Sequence, residues 1–184
     1  MNALTLLKAV HFAASKHSKQ KRKGEEGTPY INHPIEVAVL IGEVGGVTDE
    51  QVLIAAVLHD TIEDTDTTSE DIESLFGKRV LGLVLEVTDD KSLPKQERKQ
   101  RQVEHAPELT PEATLIKIAD KISNINGIIH SPPANWTHQR KKEYLEWAER
   151  VINNCNKVNS PLEAHFYNTI YKGREVLLSG SPPA

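Results

Sequence analysis

The sequence predicts an all-α domain of about eight to ten helices. Three observations carry this. Apolar residues recur at three- and four-residue intervals almost throughout, strand-like alternation is scarce, and most of the ten glycines and ten prolines fall between the periodic segments. No repeat of 20–50 residues and no low-complexity linker divides the chain. We therefore expect one domain over residues 1–178, followed by a flexible tail, 179–184, "SGSPPA".

The elements follow in order. Leu4, Leu7, Val10/His11 and Ala14 mark an amphipathic first helix. Pro34 fits the first turn of a second helix through "IEVAVLIGEV", where its missing N–H is not needed, and Gly45-Gly46 end it. Thr48 and Gln51 have the spacing of a capping box for a third helix, "DEQVLIAAVLHDTI". "SEDIESLF", stopped by Gly77, and "RVLGLVLEV" follow. The remaining helices are expected near 94–105, 111–126, 135–155 and 160–178.

Composition narrows the function. Charged residues at 26% and hydrophobic ones at 38% describe an ordinary soluble protein, and no apolar run approaches the ~20 residues of a membrane span. The opening "MNALTLLKAVHFAASKHSK" is too polar for a signal-peptide core. A net charge of −4 argues against a general DNA or RNA binder. The single cysteine, Cys155, has no partner for an internal disulfide, which points to a reducing cytoplasm. Monomer and homodimer both remain open.

The chemistry concentrates where the third helix ends, in "LHDTIEDT". An unpaired buried carboxylate is costly, so His59 and Asp60, arriving straight after a core-like run, need partners. His59 and Glu63 are four apart, as are Asp60 and Asp64, so the two pairs are expected on adjacent stripes of one helix end. A plainer alternative has Glu63, Asp64 and Asp66 as a solvated helix end, with Asp64 or Asp66 capping the next helix. Two distant residues offer partners. His33 precedes Pro34, and a lone histidine there is more often a helix cap or packed side chain than a ligand. Asp120 lies among Leu115, Ile116, Ile118, Ala119 and Ile122, with Asn124 four residues on, and a salt bridge to Lys117 or Lys121 would also account for it. Together His33, His59, Asp60 and Asp120 supply two imidazoles and two carboxylates. That set suits Mn²⁺ or Fe²⁺ and is compatible with Zn²⁺.

The phrases "GTPYINHPIEVA", "LHDTIEDTDTT", "EVTDDKSLPKQERK" and "IKIADKISNI" resemble the stand-alone small alarmone hydrolases, HD-domain metal-dependent phosphohydrolases related to the hydrolase half of RelA/SpoT proteins. The resemblance covers roughly residues 5–150. It implies an HD-domain helical bundle and Mn²⁺ on His33, His59, Asp60 and Asp120, with Glu63 and Asp64 as the catalytic pair. The implied reaction is hydrolysis of the 3′-diphosphate of ppGpp or pppGpp to GDP or GTP and pyrophosphate. By the same resemblance Arg22, Lys23, Tyr30 and Asn124 fall on substrate-pocket positions, with Lys91 and Lys95 as further cations. The basic stretch "KHSKQKRKGEEG" would otherwise read as a solvated loop.

Long relatives often read "DRLHNMRT" where this chain has "DKISNING", so Ser123 and Asn126 replace a bulky ring and an arginine. The ligand set is intact, and the departures bear on substrate preference. Nothing after residue 150 resembles a synthetase domain, which implies hydrolysis without synthesis. Two other readings share these residues: a phosphatase of another nucleotide such as NADPH, and a non-catalytic alarmone-binding module.

Overall fold

The computed structural model describes residues 3–24 and 27–179. Ten α-helices account for most of them: α1 Ala3–Lys16, α2 Asn32–Glu43, α3 Glu50–Leu58, α4 Thr61–Asp64, α5 Ser69–Phe76, α6 Lys78–Val87, α7 Lys95–His105, α8 Pro111–His130, α9 His138–Asn154 and α10 Ser160–Ser179. A 3-10 turn, Ala106–Glu108, joins α7 to α8. Among the described residues there is no strand, only an isolated bridge between Lys21 and Pro29 that closes the basic loop before α2. The all-α expectation holds. Of the tail, Ser179 lies in the last turn of α10, and residues 180–184 lie outside the described residues.

Two helices organise the core. Every residue of α3 from Val52 to Leu58 is buried, because the helix lies between α1, α2, α6 and α8. A helix apolar on all sides must be enclosed on all sides. The longer α8 packs on α2, α6, α9 and α10. Its Ile116, Ile118, Ala119, Ile122 and Ile125 are fully enclosed. Together these helices fix one wall of the site.

Several local expectations are corrected. In α1 the buried residues are Ala9 and Ala13, with Leu6 and Val10 packed beside them, whereas Leu4 and Leu7 are mostly exposed. The inward stripe is therefore rotated from the one expected. The cap of α3 is Asp49, not Thr48, and its side chain accepts from the Gln51 and Val52 N–H groups, so no capping box forms there. The box instead opens α5, where Thr68 and Asp71 bond each other's backbone N–H. Neither Asp64 nor Asp66 caps a helix; Asp66 pairs with Lys16 at 2.9 Å. Finally, the third helix does not run through to Ile62. It stops at Leu58, and His59-Asp60 form a turn before α4.

Candidate metal centre and active cleft

That turn has a side-chain cause. His59 Nδ1 donates to the Ala56 carbonyl at 2.8 Å, and the Thr61 hydroxyl donates to the Leu58 carbonyl at 2.7 Å. Side chains that bond nearby carbonyls in this way compete with the helix ladder. The break swings His59 and Asp60 toward α2 and α8, and α4 then carries Glu63 and Asp64 one turn further on.

Four predicted ligands converge there. The ligand atoms of His33, His59 and Asp60 lie within 4.8 Å of one another. Asp60 Oδ2 is 3.5 Å from His33 Nε2 and 3.2 Å from His59 Nε2. Asp120 joins through the histidines, its Oδ1 3.3 Å from His33 Nε2 and 3.9 Å from His59 Nε2. The Asp120 alternative holds as well, because its other oxygen accepts from Lys121 at 2.9 Å. One carboxylate thus faces the cluster and the salt bridge at once.

The donor set fits a divalent cation. Because His59 Nδ1 must donate to a carbonyl, neutral His59 presents a bare Nε2 lone pair. Among the described residues that atom is buried without a hydrogen-bond partner, with carboxylate oxygens of Asp60 and Asp120 at 3.2 and 3.9 Å. Acceptors gathered against acceptors need a positive charge between them. Burial opposes protonation of His59, but the Asp60 and Asp120 carboxylates override it and hold the imidazole up to about 9. Burial alone would raise Asp60; its histidine neighbours hold it below the usual carboxylate range instead.

The remaining predicted residues surround this cluster. Tyr30 donates its hydroxyl to Asp60 Oδ2 at 2.6 Å, and burial followed by the Asp60 charge pushes its phenol well up. Asn124 Nδ2 donates to Asp120 Oδ1 at 2.6 Å. The Arg22 guanidinium sits 5.9 Å from the centre of the Tyr30 ring. Lys23 is exposed on the rim. Glu63 accepts from the Asp89 N–H at 3.0 Å, lies 3.6 Å from Arg98, and is pushed up to about 7 by burial. Asp64 accepts from Gln20 at 2.9 Å and pairs with Lys91.

All of these line one cleft of about 910 Å³, the scale of small-molecule sites. The cleft is also lined by residues that sequence reasoning did not assign, Arg98 and Lys99 of α7, Arg140 of α9 and Trp136 between α8 and α9, together with Tyr144 of α9. Lys99 lies 4.6 Å from the Trp147 ring centre, and Arg140 lies 4.5 Å from that of Trp136. A signal existed in the spacing of Lys95, Arg98, Lys99 and Gln102, a single helical stripe at i, i+3, i+4 and i+7. All four line the cleft, as does Lys91.

An all-α domain with a two-histidine, two-aspartate cluster in a large cleft has the make-up of the divalent-metal hydrolytic class. The HD-domain family model matches residues 9–147, and the chain belongs to that family. Its similarity extends along nearly its whole length to proteins called guanosine-3′,5′-bis(diphosphate) 3′-pyrophosphohydrolase MESH1. The zebrafish (Danio rerio) protein is 51% identical over 158 residues, covering 86% of this chain and 88% of that one. The human protein is 52% identical over 161 residues, covering 88% and 90%. A solved structure described as a metazoan ortholog of SpoT that hydrolyzes ppGpp aligns with a TM-score of 0.89 at 45% identity, covering 92% of this chain and 95% of that one.

Proposed function

We propose that the protein hydrolyses the 3′-diphosphate of ppGpp and pppGpp, releasing pyrophosphate and GDP or GTP. The observation that carries this reading is the arrangement of the cleft. His33, His59, Asp60 and Asp120 lie together with Glu63 and Asp64 beside them, and Arg22, Lys23, Lys95, Lys99 and Arg140 line the same cleft. A substrate with two diphosphates needs charge compensation at two separate places, and the cleft offers both.

We assign the metal as Mn²⁺, with Fe²⁺ or Zn²⁺ compatible with the same donors. A divalent cation held by the four ligands supplies positive charge to a phosphoryl oxygen and acidifies water. Asp64, steadied by Gln20 and Lys91, and Glu63 orient the attacking water and take its proton. The water oxygen bonds to the phosphorus nearest the ribose, the bond from that phosphorus to O3′ breaks, and O3′ takes a proton as pyrophosphate leaves. Glu63, pushed up to about 7, is protonated in part of the molecules at neutral pH and suited to return that proton. Arg22 beside the Tyr30 ring offers a planar cation for stacking on guanine. Lys23 and Asn124 complete the substrate positions, with Lys95, Lys99 and Arg140 available to the second diphosphate. We place the protein in the cytoplasm, consistent with a buried free Cys155; among the described residues no helix is long and apolar enough to cross a membrane.

The test is a panel of ppGpp, pppGpp and NADPH incubated with purified protein and Mn²⁺. Pyrophosphate from the first two is expected. Orthophosphate from NADPH alone, or full turnover of ppGpp by Asp64→Ala, would overturn the proposal.

A further inference from the structure

A second polar chain leaves His33 on the side away from the ligand cluster. His33 Nδ1 lies 2.8 Å from Ser123 Oγ, and that hydroxyl donates to Glu36 Oε2 at 2.6 Å. Asn126 Nδ2 donates to Glu36 Oε1 at 3.5 Å. His33 and Glu36 are three apart on α2, and Ser123 and Asn126 three apart on α8, so the four form a rung between two helices in direct contact. His33 and Ser123 are 2% and 1% exposed.

The directions of these bonds follow from the donor inventory. A serine hydroxyl has one hydrogen and a carboxylate accepts, so Ser123 gives its hydrogen to Glu36 and turns a lone pair to His33. His33 Nδ1 then carries the ring proton. The Nε2 lone pair is left facing Asp60 and Asp120. The other tautomer would bury the Nδ1 lone pair against that of Ser123, whereas the acceptors that face Nε2 are the ones a bound cation would neutralise. We infer that Ser123 and Glu36 are positioning residues that hold His33 in the one tautomer and ring orientation able to ligate a divalent cation, an inference resting on the cation reading of the cluster.

Partners on the second nitrogen of a ligating histidine act in this way generally. Here the device uses a hydroxyl relayed to a carboxylate from the cleft wall. It also gives Ser123 and Asn126 a role at the ligand set, where the sequence connected them with substrate preference alone. Glu36 itself attracts no notice in the sequence.

The experiment is a titration of the full chain with Mn²⁺, read from the electron-paramagnetic signal of the free ion, for wild type, Ser123→Ala, Glu36→Ala and Glu36→Gln. It is paired with ¹⁵N shifts of the His33 ring in metal-free protein. We expect binding roughly 10–100-fold weaker in both alanine variants. Glu36→Gln, which keeps an acceptor for Ser123, should recover most of that loss. Wild type should show a single Nδ1–H tautomer that becomes mixed in Ser123→Ala. If Ser123→Ala fails to fold, the two variants at half-buried Glu36 carry the comparison. Unchanged affinity in Glu36→Ala, or a mixed tautomer in wild type, would overturn the lock alone. Wild type that takes up no Mn²⁺ would overturn the cation reading and the lock's role with it.

Discussion

Glu63 and Asp64 are neighbours on one helical turn, yet their carboxylates enter different surroundings. Glu63 lies against the Asp89 N–H and is pushed up to about 7 by burial, while Asp64 is gripped by Gln20 and Lys91. The folded chain therefore holds the Glu63 proton up to about pH 7, and an unfolded one releases it near the usual 4.5. The sign follows: this contribution to stability is complete below about pH 4.5 and is lost as pH rises through 7. Metal-free wild type should lose more stability between pH 5 and pH 8 than Glu63→Gln, by about 2 kcal/mol. Urea unfolding at the two pH values measures it, and equal slopes would refute the assignment.

Asp120 serves the cluster and Lys121 together, so its removal should have two separable effects. Lys121 is 3% exposed and loses its carboxylate in Asp120→Ala. Breaking a buried pair on one side costs about 3–5 kcal/mol. The second effect is on metal linkage: Mn²⁺ at a hundred times its dissociation constant should stabilise wild type by about 2.7 kcal/mol and the variant scarcely at all. Melting curves with Mn²⁺ and with chelator separate the two. A full Mn²⁺ shift in Asp120→Ala would remove it from the ligand set.

Gly127 approaches Arg22 so closely that an added Cβ would stand 3.3 Å from its guanidinium. Alanine in a helix interior is favoured over glycine by about 0.5–1 kcal/mol. Gly127→Ala should thus melt no lower than wild type while KM for ppGpp rises several-fold with kcat little changed, because Arg22 must move aside. Unaltered KM would show that the guanidinium yields to the added methyl without leaving its substrate position.

Asp49 provides a control remote from the cleft. Its side chain caps α3 and pairs with the half-exposed Arg79. Asp49→Ala should cost about 1 kcal/mol through the lost cap, read as a lower urea midpoint with unchanged kinetics. A loss of activity would mean that α3 transmits its N-terminal state to His59.

The legible part of the molecule was what periodicity and chemistry expose. Seven buried residues in a row in α3, and Asp120 set among the isoleucines of α8, are visible in the letters because burial demands apolar neighbours and charges among them need a reason. The break after Leu58 was not visible, since it comes from His59 and Thr61 bonding carbonyls one turn back, a choice that residue type permits without dictating. Thr48 and Asp49 both make acceptable caps, so only geometry chose between them. The basic stripe of α7 was not singled out beyond Lys95, because it is Trp147 and Tyr144, brought up from some fifty residues away by α9, that make it a wall. Glu36 stayed hidden for the same reason, its partners lying on α8.

Asp120, Ser123, Asn124 and Gly127 stand at i, i+3, i+4 and i+7 along α8, while Ile118, Ile122 and Ile125 fill its enclosed sides. Chemistry and cohesion are written on different faces of one rod. Along the first face Asp120 and Ser123 are tied to the ligand cluster, which leaves Asn124 and Gly127 as the positions where substitution bears on what the cleft accepts.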